Sequence, residues 1–438
     1  EMGINVEISI FNCRIYKMQN KTISVVGLGY IGLPAAAMFA SREVNVIGVD
    51  VNAQAVDIIN QGKIHIVEPG LEEIVQKAVS DGFLKAVTRP EPADAFVIAV
   101  PTPFKGDHEP DTGYIEAVAK AIAPVLEKGN VIILESTSPV GTTEQLVAWL
   151  SAARPDLAFP KEGVNQEADI YVAYCPERVL PGQVIRELVE NDRIIGGITE
   201  ACSEKAIEVY RVFVQGDLLK TNARTAEMAK LTENAFRDVN IAFANELSLI
   251  SDKLNINVWE LISLANHHPR VNILQPGCGV GGHCIAVDPW FIVDKTPDLA
   301  NMVRTAREVN DGKPEWVIGK VHEAVETVAA QTGKAKQDVK IVCYGLAFKP
   351  DIDDLRESPA LMITEKLMKL YPNQVFAVEP NVHEVVDHHG KKDIALIDYS
   401  NSVEVADVAV LLVNHKEFMA QKPGFKPNSV LVDTKGIW

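Results

Sequence analysis

A glycine-rich turn early in the chain has the residue types that bind a dinucleotide. Gly27, Gly29 and Gly32 follow the apolar run TISVV, and Asp50 ends the next apolar run, eighteen residues after Gly32. Glycines let the backbone approach a pyrophosphate, a helix N-terminus offers unpaired N–H groups, and the acid accepts from ribose hydroxyls. A tight strand-to-helix turn is the simpler alternative. Because strand, turn, helix, strand and acid occur together, we predict a cofactor site, and an acid at position 50 favours NAD over NADP.

A second cluster, PGCGVGGHCIAVDP at 276–289, places four glycines before Cys284 and Asp288 four residues after it. Glycines let a ligand or another backbone come close to the thiol. In a nicotinamide enzyme, a thiolate can add to an aldehyde, and oxidation of that adduct leaves a thioester that water opens to an acid. Cys284 could instead be a small buried apolar residue. A metal site is a further alternative, with the ligands Cys278, Cys284, His267, His268 and His283. The spacings match no common zinc pattern, so we predict no metal.

Three further segments carry polar residues whose role the residues alone leave open. Lys230, Asn234 and Arg237 share one face of a predicted helix, where a solvated face is the simpler interpretation. The segment YCPERVLPG, residues 174–182, follows an apolar strand and presents Glu177 and Arg178 at the edge where open α/β sheets bind ligands.

The third of these segments is GLAFKPDIDDLRESP, residues 345–359, which follows another apolar run. Lys349 and Arg356 in this segment could bind phosphate oxygens. They could equally form salt bridges with the acids of the same loop, Asp351, Asp353 and Asp354. The segment has no second Gly-x-Gly-x-x-Gly, so a second dinucleotide is not expected here.

The elements that must position these residues alternate between short apolar strands and helical stretches at both ends of the chain. This alternation predicts an α/β fold with two Rossmann-like, doubly wound parallel-sheet domains. Between them, a segment without Gly or Pro at 224–255 and a second helical stretch at 302–331 predict long helices. We predict an extension at 1–17, a dinucleotide-binding domain at 18–215, a central helical domain at 216–330 and a second Rossmann-like domain at 331–438.

Composition excludes several classes of protein. The chain has 438 residues and 47% hydrophobic content, which excludes a small disulfide-held or disordered protein. Its net charge of −17 and the lack of a basic block argue against nucleic acid, although a few basic residues in a cleft still suffice for an anionic small substrate. The six cysteines include no C-x-x-C pair, and no apolar run is long enough to span a membrane. We therefore expect a cytoplasmic protein.

Taken in order, these motifs resemble the nucleotide-sugar 6-dehydrogenases, the UDP-glucose and UDP-N-acetylhexosamine dehydrogenase family. The resemblance runs from about residue 20 to the C-terminus through VVGLGYIGLP, ESTSPVGTTE, CPERVLPG, KLTENAFRDVNIAFANEL, HPRVNILQPGCGVGGHC and GLAFKPDIDDLRESP. It implies oxidation of a sugar C6 alcohol to a carboxylate with two NAD. His283 before the cysteine is similar to the N-acetylhexosamine branch, which implies UDP-N-acetyl-D-mannosamine as substrate and a role in bacterial surface polysaccharide such as enterobacterial common antigen.

The resemblance also implies roles for individual residues. Cys284 would be the nucleophile, Lys230 an acid/base or oxyanion-stabilising group beside Asn234, and Asp288 and Glu177 the carboxylates that serve thioester hydrolysis, with Thr137 holding the water. The residues implied for NAD, beside the three glycines of the turn, are Tyr30, Ile31, Asp50, Thr102, Thr143 and Arg356. Those implied for the UDP-sugar are Arg178, Val179, Lys230, Asn234, Arg237, His268, Arg270, Gly281, Phe348 and Lys349.

The resemblance further implies a homodimer in which Arg270 of one subunit reaches the substrate of the other, with His268 alongside it. Nucleic acid and membrane are not expected as partners. The alternatives are a UDP-glucose or UDP-N-acetylglucosamine 6-dehydrogenase, or a non-catalytic NAD-binding scaffold. The presence of Cys284, Lys230, Asn234 and Asp288 together disfavours the scaffold.

Overall fold

A computed structural model describes residues 21–106, 108–163, 167–180, 182–282, 284–382, 385, 394–420 and 423–438. The predicted extension at 1–17 and His283 lie outside the described residues. The chain divides into two units, the first ending at Thr232 and the second running from Glu233 to Trp438. The three-domain division expected from the sequence stays a prediction.

The first unit alternates strands and helices. Its strands are β1 Thr22–Val26, β2 Asn45–Val49, β3 Leu84–Val87, β4 Ala95–Ile98, β5 Phe104–Lys105, β6 Glu109–Pro110, β7 Val131–Leu134, β8 Tyr171–Tyr174, β9 Arg193–Gly197 and β10 Leu218–Asn222. Its helices are α1 Gly32–Ala40, α2 Ala53–Asn60, α3 Leu71–Ser80, α4 Gly113–Ile122, α5 Thr142–Ala153, α6 Val184–Glu190 and α7 Glu200–Tyr210, with a short 3₁₀ helix at Ala123–Val125. The helix α8, Ala223–Lys253, continues from the first unit into the second.

An eight-stranded sheet in the order β10-β9-β8-β7-β4-β1-β2-β3 is the centre of the first unit. Six adjacent strands of this sheet run parallel, in the spatial order β8-β7-β4-β1-β2-β3, which is typical of a dinucleotide-binding fold. Alternate residues of β1 enter different cores, with Ile23 and Val25 on one side and Val26 on the other. Strand β9 pairs with β8 in the antiparallel sense, and β10 runs parallel to β9.

The second unit contains the remaining elements. Its helices are α9 Val258–Ala265, α10 Asp288–Lys295, α11 Asn301–Thr332, α12 Pro359–Leu370, α13 Tyr399–Val405 and α14 Lys416–Ala420, with a 3₁₀ helix at Lys336–Asp338. Its strands are β11 Ile341–Tyr344, β12 Val375–Val378, β13 Val408–Leu411 and β14 Val430–Asp433. The strands form a parallel sheet in the order β12-β11-β13-β14.

The predicted fold class is confirmed, because the small sheet and six adjacent strands of the large sheet run parallel, with intervening helices. The long helices predicted at 224–255 and 302–331 correspond to α8 and α11. The start of α12 agrees with its residue types: the hydroxyl of Ser358 accepts from the N–H of Leu361, and Pro359 begins the helix. The antiparallel edge formed by β9 and β10 was not predicted.

Candidate active site

The turn between β1 and α1 has the geometry that the glycine spacing predicts. Gly27 has φ +92°, and a Cβ there would lie 2.5 Å from the carbonyl oxygen of Ala99. A Cβ on Gly32 would lie 1.7 Å from the carbonyl oxygen of Gly27, so the helix start and the turn pack backbone to backbone. Beside Gly29, in contrast, a Cβ would meet no described atom within 4 Å. The turn is therefore closed on its inner side and leaves room for a pyrophosphate on the outer side.

The Asp50 carboxylate stands at the end of β2, next to this turn. One of its oxygens accepts from the N–H of Leu28 and the other from the N–H of Asn52, each at 2.9 Å. A carboxylate has about four acceptor positions, so both oxygens retain capacity for ribose hydroxyls. Tyr30 in the turn is 45% exposed, and Ile31 is half-buried at the start of α1. These residues fit an NAD dinucleotide.

Three threonines predicted near the active site lie after β4 and β7. The Thr102 hydroxyl donates to the carbonyl oxygen of Thr137 at 2.5 Å, so these two segments meet at the carboxyl edge of the sheet. Thr143 is fully buried, and its hydroxyl and N–H both donate to one carboxylate oxygen of Glu227, at 2.6 and 2.8 Å. Burial raises the pKa of Glu227, and these hydrogen bonds lower it. Glu227 thus caps the N-terminus of α5, a role that no local sequence signal indicates.

Glu177 lies at the same edge, three residues after β8. Its carboxylate accepts from the Arg193 guanidinium at 2.8 Å and from the backbone N–H of Arg178 at 2.6 Å. The Arg178 guanidinium donates to the carbonyl oxygen of Asp192, and Val179 is half-buried. The sequence did not single out Arg193.

In the second unit, the Cys284 thiol is exposed on the segment before α10. The backbone carbonyl of Cys284 accepts from the N–H groups of Val287 and Asp288, at 3.2 and 2.9 Å, which makes a tight turn into the helix. Asp288 is the first residue of α10 and is buried. Its carboxylate accepts from the Asn234 side-chain amide on α8 at 2.5 Å. The predicted nucleophile Cys284 and the predicted carboxylate Asp288 therefore lie in one hydrogen-bonded backbone turn.

Buried polar side chains anchor the start of this loop. The N–H of Gly277 donates to the Asn245 side chain at 2.9 Å, and Asn245 donates to Asn310 at 2.8 Å. Asn310 in turn donates to Asp238, which forms a buried ion pair with Arg307 at 2.6 Å. Burial raises the pKa of Asp238 while the Arg307 charge lowers it. The loop that carries Cys284 is thus tied to a polar network between α8 and α11.

The glycines ahead of Cys284 allow the loop to pack on the segment 345–359. A Cβ on Gly281 would lie 2.5 Å from the carbonyl oxygen of Glu357 and 2.9 Å from Cβ of Phe348. Gly282 has φ +81° and faces the Phe348 ring. Gly281 and Phe348, both predicted to bind the sugar nucleotide, are therefore in contact range of each other. Lys349 is exposed beside them.

Arg356 forms a two-bond ion pair with Asp354, at 2.9 Å from Nε and 2.6 Å from Nη2. The loop salt bridge is thus present, and the predicted NAD contact stays a prediction. Lys230 is half-buried on α8, and Arg237 is exposed on the same helix. His268 and Arg270 are exposed, with the His268 ring accepting from the N–H of Arg270 at 3.3 Å.

Among the described residues, no group of three or more His, Cys, Asp or Glu side chains could hold a metal ion. The part of the chain that the structure describes contains no helix that combines the length and apolar character needed to cross a bilayer. The five described cysteines form no disulfide bond among themselves.

Two Rossmann-like sheets and a dinucleotide turn with its acid are typical of NAD-dependent dehydrogenases. The chain belongs to the UDP-glucose/GDP-mannose dehydrogenase family. The family's NAD binding domain matches residues 21–214 of this chain, its central domain matches residues 224–312, and its UDP binding domain matches residues 342–438.

Similar proteins agree with this assignment. A UDP-N-acetyl-D-mannosamine dehydrogenase from Yersinia pestis is 61% identical over 421 residues, 96% of this chain and 100% of the relative. An NDP-N-acetyl-D-galactosaminuronic acid dehydrogenase from Ralstonia nicotianae is 59% identical over 95% of this chain and 96% of its own. The solved structure of a UDP-D-ManNAc dehydrogenase from Pyrococcus horikoshii has a TM-score of 0.83 at 37% identity, covering 95% of this chain and 96% of that one.

Proposed function

We propose that this protein oxidises UDP-N-acetyl-D-mannosamine at C6 to the uronate, with two NAD and water. The observation that carries the proposal is the exposed Cys284 thiol, on a glycine-rich loop that ends at the buried Asp288 carboxylate. The similarity to proteins named UDP-N-acetyl-D-mannosamine dehydrogenase, at 61% identity, supports this choice of sugar.

The chemistry balances as a four-electron oxidation. NAD, when bound, accepts one hydride from the substrate carbon in each of two oxidations. After the first oxidation, the Cys284 sulfur bonds to the aldehyde carbon and gives a thiohemiacetal. The second oxidation converts this thiohemiacetal to a thioester. Water then attacks the acyl carbon, the carbon–sulfur bond breaks, and the thiolate leaves. One alcohol, two NAD and one water therefore yield one carboxylate, two NADH and three protons.

The residues of the chain are assigned roles in proton movement. Lys230 removes or holds the proton of the C6 oxygen, and Asn234 lies one helical turn from it on α8, where it also orients Asp288. Glu177 and Asp288 are the carboxylates that serve hydrolysis of the thioester. Thr137 holds the attacking water in this proposal. The other contacts to NAD and to the UDP-sugar that the resemblance implies belong to the same proposal.

A homodimer is the proposed assembly, with Arg270 and His268 of one subunit contributing to the substrate site of the other. The support is an apolar stripe on α8, where Phe236, Phe243 and Ile250 recur every seven residues and are 67%, 52% and 45% exposed. A helix that leaves such side chains exposed has an apolar face suited to a second copy of the chain.

Replacing Phe243 with glutamate is expected to dissociate this dimer. Because the two-fold interface contains the residue twice, the change places two unpaired charges in it and raises the dimer Kd by about 100-fold or more. Analytical ultracentrifugation measures the effect. The matched control is Met419→Glu, whose side chain is also 52% exposed but lies on α14. An unchanged Kd for F243E, or an equal change for both variants, would contradict an interface on this stripe.

The product would enter bacterial surface polysaccharide of the enterobacterial common antigen type, and a cytoplasmic location is part of the same proposal. Both rest on the resemblance and on the cysteine spacing, which shows no pairs of the kind that disulfide frameworks use.

A substrate panel with NADH stoichiometry tests the proposed activity. The wild-type protein is expected to form two NADH per sugar and to favour UDP-N-acetyl-D-mannosamine by at least about 10-fold in kcat/KM. UDP-glucose, UDP-N-acetylglucosamine and UDP-N-acetylgalactosamine are the competitors, the last because of the name of the Ralstonia relative. A higher kcat/KM on any competitor rejects the sugar. One NADH with release of aldehyde rejects the thioester, and binding without NADH formation indicates a scaffold.

A further inference from the structure

A buried ionic cluster lies behind Glu177 at the carboxyl edge of the large sheet. Its members are Glu135, directly after β7, Glu177 after β8, Arg193 at the first position of β9, and Tyr210 at the end of α7. The Glu135 and Arg193 side chains are 0% and 4% exposed, whereas that of Glu177 is 8% exposed. Glu177 is thus the carboxylate of the cluster that lies nearest the surface.

One guanidinium joins the two carboxylates. Arg193 donates from Nη2 to Glu177 at 2.8 Å and from Nη1 to Glu135 at 3.2 Å. The Tyr210 hydroxyl donates to the same oxygen of Glu135 at 2.8 Å, and the Tyr210 ring lies 4.7 Å from the guanidinium carbon. Arginine suits such a site because its planar fork holds two acceptors in a set direction. The buried Arg193 guanidinium therefore orients the Glu177 carboxylate from the interior of the unit.

The charges of the cluster explain how two carboxylates share one cation. Burial raises the pKa of Glu135 to about 7, against the lowering effect of the Arg193 charge, and the charge of Glu177 raises it further. Burial also raises the pKa of the adjacent Cys175 thiol to about 12, so this thiol stays neutral. Burial thus disfavours the charged form of Glu135, while the Arg193 charge favours it.

The antiparallel edge strand brings these residues together. Tyr174 of β8 pairs with Gly196 of β9, and the same register extended by three residues places Glu177 opposite Arg193. A parallel strand in this position would begin at the other edge of the sheet and would leave Glu177 without this cation.

We propose that Arg193, held by Glu135 and Tyr210, is a positioning residue that orients the Glu177 carboxylate for hydrolysis of the Cys284 thioester. The inference rests on the proposed function. In that step the water oxygen bonds to the acyl carbon, the carbon–sulfur bond breaks, and the thiolate leaves with the electron pair. Glu177 accepts a proton of the water, and the acid formed loses its proton to solvent. No oxidant or reductant is needed.

The variant Arg193→Lys tests this role, because lysine keeps the charge but lacks the planar fork that holds two acceptors in set directions. Since a displacement of about 1 Å can lower a rate by about 100-fold, we expect hydrolysis to slow by about 10- to 100-fold. Rapid-quench kinetics should show the NADH burst retained, with the steady-state kcat and the KM for the sugar reduced together, so that kcat/KM changes little. Mass spectrometry of the intact protein should then detect the acyl-enzyme. A proportional loss of burst and steady-state rates, without acyl-enzyme, overturns the proposal.

A pair of changes at Glu135 guards against failure of R193K to fold. Glutamine accepts the hydrogen bonds of Arg193 and Tyr210, so Glu135→Gln should stay within about 3-fold of wild type. Leucine accepts neither, so Glu135→Leu should accumulate the acyl-enzyme. The control is Arg154→Lys, the same substitution at an arginine of this unit that bonds the carbonyls of Ala123 and Leu126. It should change stability without acyl-enzyme. Equal kinetics of the two Glu135 variants contradict the role.

Glu177→Gln separates the inference from the function it rests on. If E177Q accumulates acyl-enzyme and R193K does not, the positioning role is wrong while the reaction stands. If neither variant accumulates acyl-enzyme and wild type forms one NADH, the thioester mechanism itself is wrong.

Discussion

Replacing Cys284 with serine is expected to stop the proposed four-electron oxidation, lowering turnover by roughly 10³-fold or more. Serine keeps the size of the side chain, but its hydroxyl is a far weaker nucleophile than a thiolate at neutral pH. Because the thiol is exposed and the change replaces one atom, binding of NAD and of the UDP-sugar should stay within about 3-fold of wild type. Calorimetry measures binding, and absorbance of NADH measures turnover.

Cys278 provides the matched control, since it lies six residues earlier on the same loop. Its thiol is buried, contacts the carbonyl oxygen of Leu412 at 3.6 Å, and has a pKa raised by burial. Cys278→Ser should therefore retain turnover within about 3-fold. Two NADH per sugar from the C284S variant, or equal losses in both variants, would remove the thiol from the mechanism.

Replacing Arg307 with leucine is expected to lower the free energy of unfolding of the second unit by about 3–5 kcal/mol. Arg307 is 1% exposed, and its loss leaves the Asp238 carboxylate buried without its cation. Asn310 still donates to that carboxylate, but one neutral hydrogen bond offsets only part of the cost. Urea unfolding followed by far-ultraviolet circular dichroism measures the change. The midpoint should shift without a change in NADH stoichiometry.

The double variant Asp238→Asn with Arg307→Leu is the control for this prediction. Without the negative charge, no buried carboxylate is left uncompensated, and most of the stability should return. A double variant that is less stable than Arg307→Leu alone would show that packing of the guanidinium, rather than the ion pair, stabilises this region.

Local patterns predicted the secondary elements and the turns well. Ser358 and Pro359 start α12 as their types indicate, and the run without Gly or Pro forms α8. Gly27 and Gly32 adopt a turn that a Cβ would block, which is why their spacing is informative. These features depend on backbone conformation within a few residues, and so they are visible in the sequence.

The buried polar partners were not predictable in this way. Arg193 and Glu135 lie 58 residues apart along the chain, and Gly277 and Asn245 lie 32 apart. Such residues are ordinary charged or polar side chains until the fold buries them. Glu227 likewise caps α5 from another helix, α8, and lies 86 residues after Gly141, from whose N–H it accepts a hydrogen bond.

The sequence by itself determined the fold class, the dinucleotide turn and the family, because each is encoded in residue types at short, regular spacing. Only the tertiary structure decided which cation meets the Glu177 carboxylate and which amide meets the Asp288 carboxylate. Strand β9 joins the sheet in the antiparallel sense, and that single choice places Arg193 against Glu177. The physical reason is that the direction of a strand depends on how the connection before it packs. Once the fold buries a charged group, loss of its partner leaves an uncompensated charge, so the contact must be kept.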